Sequence, residues 1–294
     1  GYWPEGQYAA PTDEALRNDI LWARQFGFNG ARKHQKIEDP RWLYWADRIG
    51  LLVWGEMPSC GIYHYSNDAM ANMITEWRQV LERDHNHPCI AVWVPFNESW
   101  GIWGVRDRPE VQDGVAEVVE ITHCTDPTRL VVDNSGWEHV DTDIADVHSY
   151  LGTAQQLHVW WPCYRSGQTY VYDSGHPFWA RGHYYSGQPV VLSEYGGMAI
   201  EGYPPPPNRG LQACGILSPQ RFALRYHDLT RGILDLEDVC GFCYTQLTDV
   251  EGEVNGLLTY DRKPKVDAAE IARYNREAPA RYPSEEPVAE RECG

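Results

Sequence analysis

No stretch of the 294-residue chain comes near the ~18 consecutive apolar residues of a membrane-crossing helix. No basic segment followed by an apolar one opens it, as a secretory leader would. Positive charge is scarce as well. Lys and Arg together number 25 against 42 Asp and Glu, a formal charge of −17, which repels nucleic-acid phosphates and anionic membrane surfaces. Neither is expected as a partner. The eight cysteines (Cys60, Cys89, Cys124, Cys163, Cys214, Cys240, Cys243 and Cys293) lack the paired short spacings of a zinc site, since Cys240-x-x-Cys243 has no second pair. Most lie in or beside apolar segments, which predicts reduced, buried thiols in a cytoplasmic protein rather than a disulfide framework. No His-x-His pair ends a strand, so a metal-dependent hydrolase drawing on His34, His64, His85, His87, His148 and His183 is the weaker alternative. No metal or cofactor is expected.

The hydrophobic content of 43% is enough for one large α/β domain. Thirteen Trp and eighteen Tyr supply flat faces of the kind that stack on sugar rings, although most will be core. Strand and helix patterns alternate along the chain. Helices are expected at 13–26, where Thr12 can cap and Leu16, Ile20 and Ala23 recur at helical spacing, at 40–49 stopped by Gly50, and at 67–85, 111–125, 218–234 and 266–275. Seven strands end near His34, Glu56, Asn97, Asp133, Tyr150, Glu194 and Gln246. The segment 151–188 reads as a long irregular loop, the Pro204 to Pro207 run as a loop over the site, and 278–294 as a polar tail. Seven strands are one short of a closed (β/α)8 TIM barrel, so residues 1–277 are expected to form such a barrel lacking most of its first strand.

Two apolar runs end in carboxylates. Ile90-Ala91-Val92-Trp93-Val94-Pro95-Phe96 leads to Asn97-Glu98, and Val190-Val191-Leu192-Ser193 leads to Glu194. The loops after parallel strands line the ligand crevice, so both side chains should face one mouth of the barrel. A pair of carboxyl groups there is what glycosidic bond cleavage needs: one protonates the leaving oxygen, and the other attacks the anomeric carbon or activates water.

These residues carry a resemblance. Asn86-His87-Pro88 before the strand ending Asn97-Glu98, with Pro189-Val190-Val191-Leu192-Ser193-Glu194-Tyr195-Gly196 downstream, resembles the catalytic barrel of glycoside hydrolase family 2. Gly27 to His34, Asp47 to Glu56, Thr245 to Asp249 and Asn255 to Lys265 are similar to its segments in the same order. The resemblance implies a retaining β-glycosidase with Glu98 as acid/base and Glu194 as nucleophile. It further implies that Asn97 bonds the sugar's 2-hydroxyl, that Arg32 and His34 line the floor with Arg32 supporting the ionised nucleophile, that His148 and Tyr150 flank Glu194, and that Tyr244 and Gln246 line the glycone pocket. The partner implied is a carbohydrate. A non-catalytic sugar-binding or relic module is the alternative of a different kind.

One position departs from the pattern. Members that cleave glucuronides carry Asn-x-Lys where this chain has Glu253-Val254-Asn255, so a neutral, β-galactoside-like substrate is expected. Members of the resembled family also place β-sandwich domains ahead of the barrel. The chain is therefore expected to be a fragment of a longer protein, with exposed ladder edges beside Arg32 and Tyr244 where the first strand is missing.

Overall fold

The computed structural model describes residues 2–277, other than 63, 166–174, 208, 209 and 212. The polar tail expected over 278–294 lies outside the described residues. Helix α1 (Asp13–Gln25) starts where Thr12 accepts the amide of Ala15, with Asp13 and Glu14 at the positive end of its dipole. It buries Leu16, Ile20 and Ala23. Strand β1 (Gly30–Lys33) follows, then α2 (Pro40–Ile49), capped by Asp39 and ended by Gly50 at φ 80°, a backbone position that costs glycine little. Next come β2 (Leu52–Glu56), α3 (Asn67–Asp84) and β3 (Ile90–Val94). Pro95, with no N–H to give the ladder, separates β3 from β4 (Phe96–Asn97). Helix α4 (Pro109–Thr125) leads to β5 (Leu130–Val131), β6 (Asn134–Ser135) and β7 (Ala145–Ser149).

Between β7 and β8 (Val190–Gly196) stands α5 (Ala154–Arg165). This corrects the expectation of an irregular segment over 151–188. Parallel neighbours such as β7 and β8 need a crossover long enough to return the chain, and a helix is the usual one. Helix α5 keeps its place although Pro162 lies inside it, because it packs on a later helix. The strand pair β9 (Ala199–Ile200) and β10 (Ile216–Leu217) brackets the proline-rich loop, and α6 (Pro219–Leu234), β11 (Val239–Thr245) and α7 (Ala268–Asn275) complete the chain. Gly232 of α6 lies so close to α5 that a Cβ there would sit 2.5 Å from that of Ala154, and His158 Nε2 reaches the Gly232 carbonyl at 2.7 Å.

All the main ladders are parallel. One sheet runs β1-β2-β3-β5, β4 pairs with β6, and a second sheet runs β11-β8-β7. Each half has its own apolar cluster beneath its helices. Trp42, Trp77, Trp93 and Leu81 lie in the first, and Phe26, Tyr195, Phe222, Tyr226 and Tyr244 in the second. Among the described residues the two larger sheets share no ladder where they meet: β5 and β7 end them on one side, and β1 and β11 leave an open seam on the other. The contact across that seam is by side chain, the Cys243 thiol lying against the main chain of Arg32. The expectation that the thiols are buried fails for Cys60, Cys124, Cys214 and Cys240, which are exposed, while Cys89 is buried. These four lie in loops or at element ends, Cys60 beside Gly61, Cys214 beside Gly215, Cys124 at the end of α4 and Cys240 at the start of β11. Among the described residues no helix is long and apolar enough to cross a membrane.

Candidate active site

Parallel register decides which side chains meet. Pairing of His148 with Glu194 across β7 and β8 puts both on one face, and alternation puts Tyr150, two residues beyond His148, on that face as well. Arg32, at the end of β1, closes the ring from the other sheet. Its guanidinium gives Nη1 to Glu194 Oε1 and Nη2 to Asn97 Oδ1, each at 2.5 Å, and its Nε lies 2.7 Å from Glu56 Oε2. Tyr150 donates its hydroxyl to Glu194 Oε2. His34, half exposed at the mouth, approaches Glu56 at 3.4 Å and Glu194 at 3.6 Å. On the far side of Glu194, His148 Nδ1 lies 2.8 Å from Glu98 Oε1 and 3.6 Å from Glu194 Oε2. One carboxylate oxygen of Glu98, one of Glu194 and one ring nitrogen of His148 all fall within 4.8 Å of each other.

The environments of the two glutamates differ. Burial pushes the Glu194 carboxyl up, but His148, Arg32 and His34 outweigh it, and with the Tyr150 hydroxyl they hold Glu194 well below the usual carboxylate range. Glu56 is likewise held low by Arg32 and His34 against its burial. The Tyr150 phenol moves well upward, through burial and then the charge of Glu194, so it stays a donor. Glu98 sits on strained backbone. Glu98 and Ser99 have φ of 51° and 61°, the left-handed region that costs a side-chain-bearing residue about 1–2 kcal/mol. The loop is pinned by Glu98 N on the Ser135 carbonyl (3.0 Å), Ser99 N on Asn134 Oδ1 (2.9 Å) and the Ser99 hydroxyl on Glu138 (2.5 Å). Asn97 is fully buried, and its Nδ2 has no protein acceptor among the described residues. A donor left so beside the two glutamates is free to bond a ligand.

Of the expected site residues, the structure brings together Arg32, His34, Asn97, Glu98, His148, Tyr150 and Glu194. Gln246 lies at the rim, giving Nε2 to Asn255 Oδ1 at 2.8 Å and Glu253 Oε2 at 3.1 Å. Tyr244 is placed elsewhere. Its ring packs among Tyr195, Phe222 and Tyr226 beneath α6, and its hydroxyl donates to the Asn255 carbonyl at 3.2 Å. Its β11 neighbours Cys243 and Thr245 face inward, towards Arg32 and Tyr150 respectively. Glu56 was not anticipated in the site, although it too closes an apolar run. A second set of possible metal ligands, Asp47, His87 and Cys89, lies at the start of β3, the opposite end of the barrel. There Asp47 accepts from the Cys89 amide at 2.8 Å and contacts His87 Nδ1 at 2.7 Å, so the three satisfy one another.

Paired carboxylates at the mouth of a parallel α/β barrel are the equipment of a broad class, the TIM-barrel enzymes that act on O-glycosyl bonds. The family model described as "Glycosyl hydrolases family 2, TIM barrel domain" matches residues 9–208, and the chain belongs to that family. A putative β-glucuronidase of Formosa agariphila is 27% identical over 150 residues, which is 49% of this chain and 18% of its own. A β-galactosidase of Priestia megaterium is 28% identical over 157 residues, 49% of this chain and 14% of its own. Among solved structures, a family 2 β-galacturonidase from Eisenbergiella tayi bound to galacturonate superposes with a TM-score of 0.68 at 18% identity, over 93% of this chain and 49% of that one. At that identity the likeness is one of fold. The chain thus spans less than a fifth of these two curated relatives and about half of the solved one.

Proposed function

We propose that residues 1–277 form the catalytic barrel of a retaining β-glycosidase. Glu194, ionised in its ring of donors, attacks the anomeric carbon while Glu98 gives a proton to the departing glycosidic oxygen. The covalent glycosyl-enzyme is then cleaved by water, which loses a proton to Glu98 as its oxygen bonds the anomeric carbon and Glu194 departs. Asn97 Nδ2 would bond the 2-hydroxyl, a contact that tightens as charge develops on the ring. The observation that carries this proposal is the approach of the Glu98 and Glu194 oxygens to within 4.8 Å. Inverting enzymes hold the two groups ~6.5–9.5 Å apart to admit water between them, and retaining ones ~5–5.5 Å.

The substrate we favour is a terminal neutral β-glycoside, galactoside-like, because Glu253 stands at the rim where an anionic sugar would need a cation. In the complete protein the barrel would work beside upstream β-sandwich domains. The free thiols of Cys60, Cys89, Cys124, Cys240 and Cys243 suit a cytoplasmic setting. The test is a 2-fluoroglycoside trap, read by mass spectrometry, on the full-length protein. Label on Glu194 is expected, and release of the inverted anomer from an ordinary substrate would overturn the retaining assignment.

A further inference from the structure

A buried polar chain runs from Glu98 into the junction between the two sheets. His148, 1% exposed, places Nδ1 against Glu98 and its other nitrogen, Nε2, 3.1 Å from Ser135 Oγ. Ser135 Oγ lies 2.5 Å from Asp146 Oδ2. The same Asp146 oxygen accepts the Ser193 hydroxyl, and its Oδ1 accepts the Gly136 amide at 3.3 Å. Behind it, His139 gives Nε2 to the Asp146 carbonyl at 2.8 Å and Nδ1 to Asp133 Oδ1 at 2.6 Å. Ser135, Asp146, His139 and Asp133 are fully buried.

A serine hydroxyl has a single hydrogen to donate. Two oxygens 2.5 Å apart need a hydrogen between them, and the Asp146 carboxylate can only accept, so the Ser135 hydrogen points to Asp146. The Ser135 oxygen can then only accept from His148, and Nε2 must carry a hydrogen. Nδ1 is left facing Glu98 Oε1, with Arg32 and Tyr150 engaged on the second nearby carboxylate, Glu194. Gly136 leaves the ring its space, since a Cβ there would lie 2.7 Å from His148 Nδ1.

We propose that Asp146, acting through Ser135, fixes His148 in the tautomer with hydrogen on Nε2, so that Nδ1 and Glu98 hold the acid proton between them. The role in catalysis rests on the glycosidase proposal above, whereas the tautomer follows from the contacts alone. One proton belongs to the pair, on Oε1 bonded to Nδ1 or on Nδ1 bonded to Oε1. Glycosylation passes it to the leaving oxygen, and deglycosylation returns one from water. Ser135 and Asp146 are positioning residues.

Two measurements on the full-length protein test this. In 15N-histidine NMR, with His148 assigned by comparison with His148→Gln, Nε2 should be the protonated nitrogen at neutral pH, and Ser135→Ala should mix the tautomers. A bare Nε2 in the wild type would overturn the proposal, whatever the enzyme turns over. Kinetically, Ser135→Ala should lose about tenfold or more in kcat/KM on alkyl β-glycosides, which need the acid, and under about threefold on 2,4-dinitrophenyl β-glycosides, whose leaving group needs no proton. Ser135→Thr, which keeps the hydroxyl, should recover most of the loss. Equal losses on both substrates would refute a positioning role. A wild type that turned over no β-glycoside would instead sink the glycosidase proposal and leave the tautomer result standing.

Discussion

Arg32 is the residue whose replacement should be felt most widely, because one guanidinium serves three buried partners. Unit charges about 4 Å apart attract by about 4 kcal/mol at an effective dielectric of about 20, and Arg32 faces two carboxylates, Glu56 and Glu194. Part of that is offset by the cost of burying the ions. Removing one member of a buried ion cluster nets a loss of about 3–5 kcal/mol, a large fraction of the ~5–15 kcal/mol that holds a domain folded. Arg32→Gln, with no charge, should therefore lower the unfolding free energy by about 3–5 kcal/mol. Arg32→Lys keeps the charge but delivers it as a point, so it satisfies fewer of the three partners. Its loss should be about 1.5–3 kcal/mol, the worth of a hydrogen bond to a charged group. The pH dependence has a definite sign. Glu194 is held low in the folded state, so its contribution to stability is present above its unfolded value and is lost as pH falls through the folded one. Without Arg32 the folded value climbs. The acid limb of kcat/KM should then move up by about one pH unit or more, and the stability gap from wild type should narrow in acid. Urea melts from pH 2 to 7 and a pH–rate profile over the same range provide the check. An Arg32→Gln variant with the wild-type midpoint and acid limb would show that Arg32 does not hold Glu194 ionised.

His139 is pushed up to about 9, since Asp133 outweighs the effect of its burial. A raised folded value means stabilisation that is full below the ordinary 6.5 and lost as pH climbs through 9, about 3 kcal/mol in all. Melts from pH 6 to 10 should slope downward, and His139→Gln should flatten the slope. Glu253→Lys should improve β-glucuronide turnover relative to β-galactoside by about tenfold, the effect of ~1.4 kcal/mol. If the wild type already preferred the glucuronide in a nitrophenyl panel, the charge explanation at the rim would be wrong. Tyr244→Phe should cost about 0.5–1.5 kcal/mol of stability, as expected for one neutral hydrogen bond, and leave kcat/KM within about twofold. A large loss of activity would return Tyr244 to the pocket.

The strands and the two glutamates were legible because apolar runs ending in a carboxylate leave few alternatives in a parallel protein. Helix ends were legible where a cap was written locally, as at Thr12 and Gly50. Helix α5 was not, because Val159 and Trp160 blur the spacing of its buried Leu157 and Trp161 and Pro162 argues against a helix. What stabilises it is Gly232, over sixty residues away. Tyr244 was placed on the wrong face because its neighbours Phe242, Cys243 and Thr245 are all partly covered, so composition does not tell in from out; a register shift between Phe242 and Tyr244 further disturbs the count. The polar chain behind His148 did leave a trace. Asp146 and His148 sit two apart in a strand, on either side of apolar Val147, so they share a face, and a buried charge on the face that carries the candidate site is a signal that period-two counting can find.

In the proposed glycosidase, reaction and recognition are carried by different parts of the backbone. Glu98, Glu194, Arg32 and His148 sit on or next to the strands, whereas Glu253, Asn255 and the rim around Gln246 belong to a hairpin-like excursion after β11. That excursion has its own foundations. Lys265 Nζ bonds Asp249 Oδ1 at 2.7 Å and the Val254 carbonyl at 2.9 Å, Thr248 bridges to Leu258, and Gly256 lies where a Cβ would come within 2.4 Å of the Thr248–Asp249 peptide. An enzyme engineer could therefore treat 250–255 as an exchangeable cassette. With Asp249, Gly256 and Lys265 kept as the socket, the sugar being read could be changed while the groups that break the bond stay as they are.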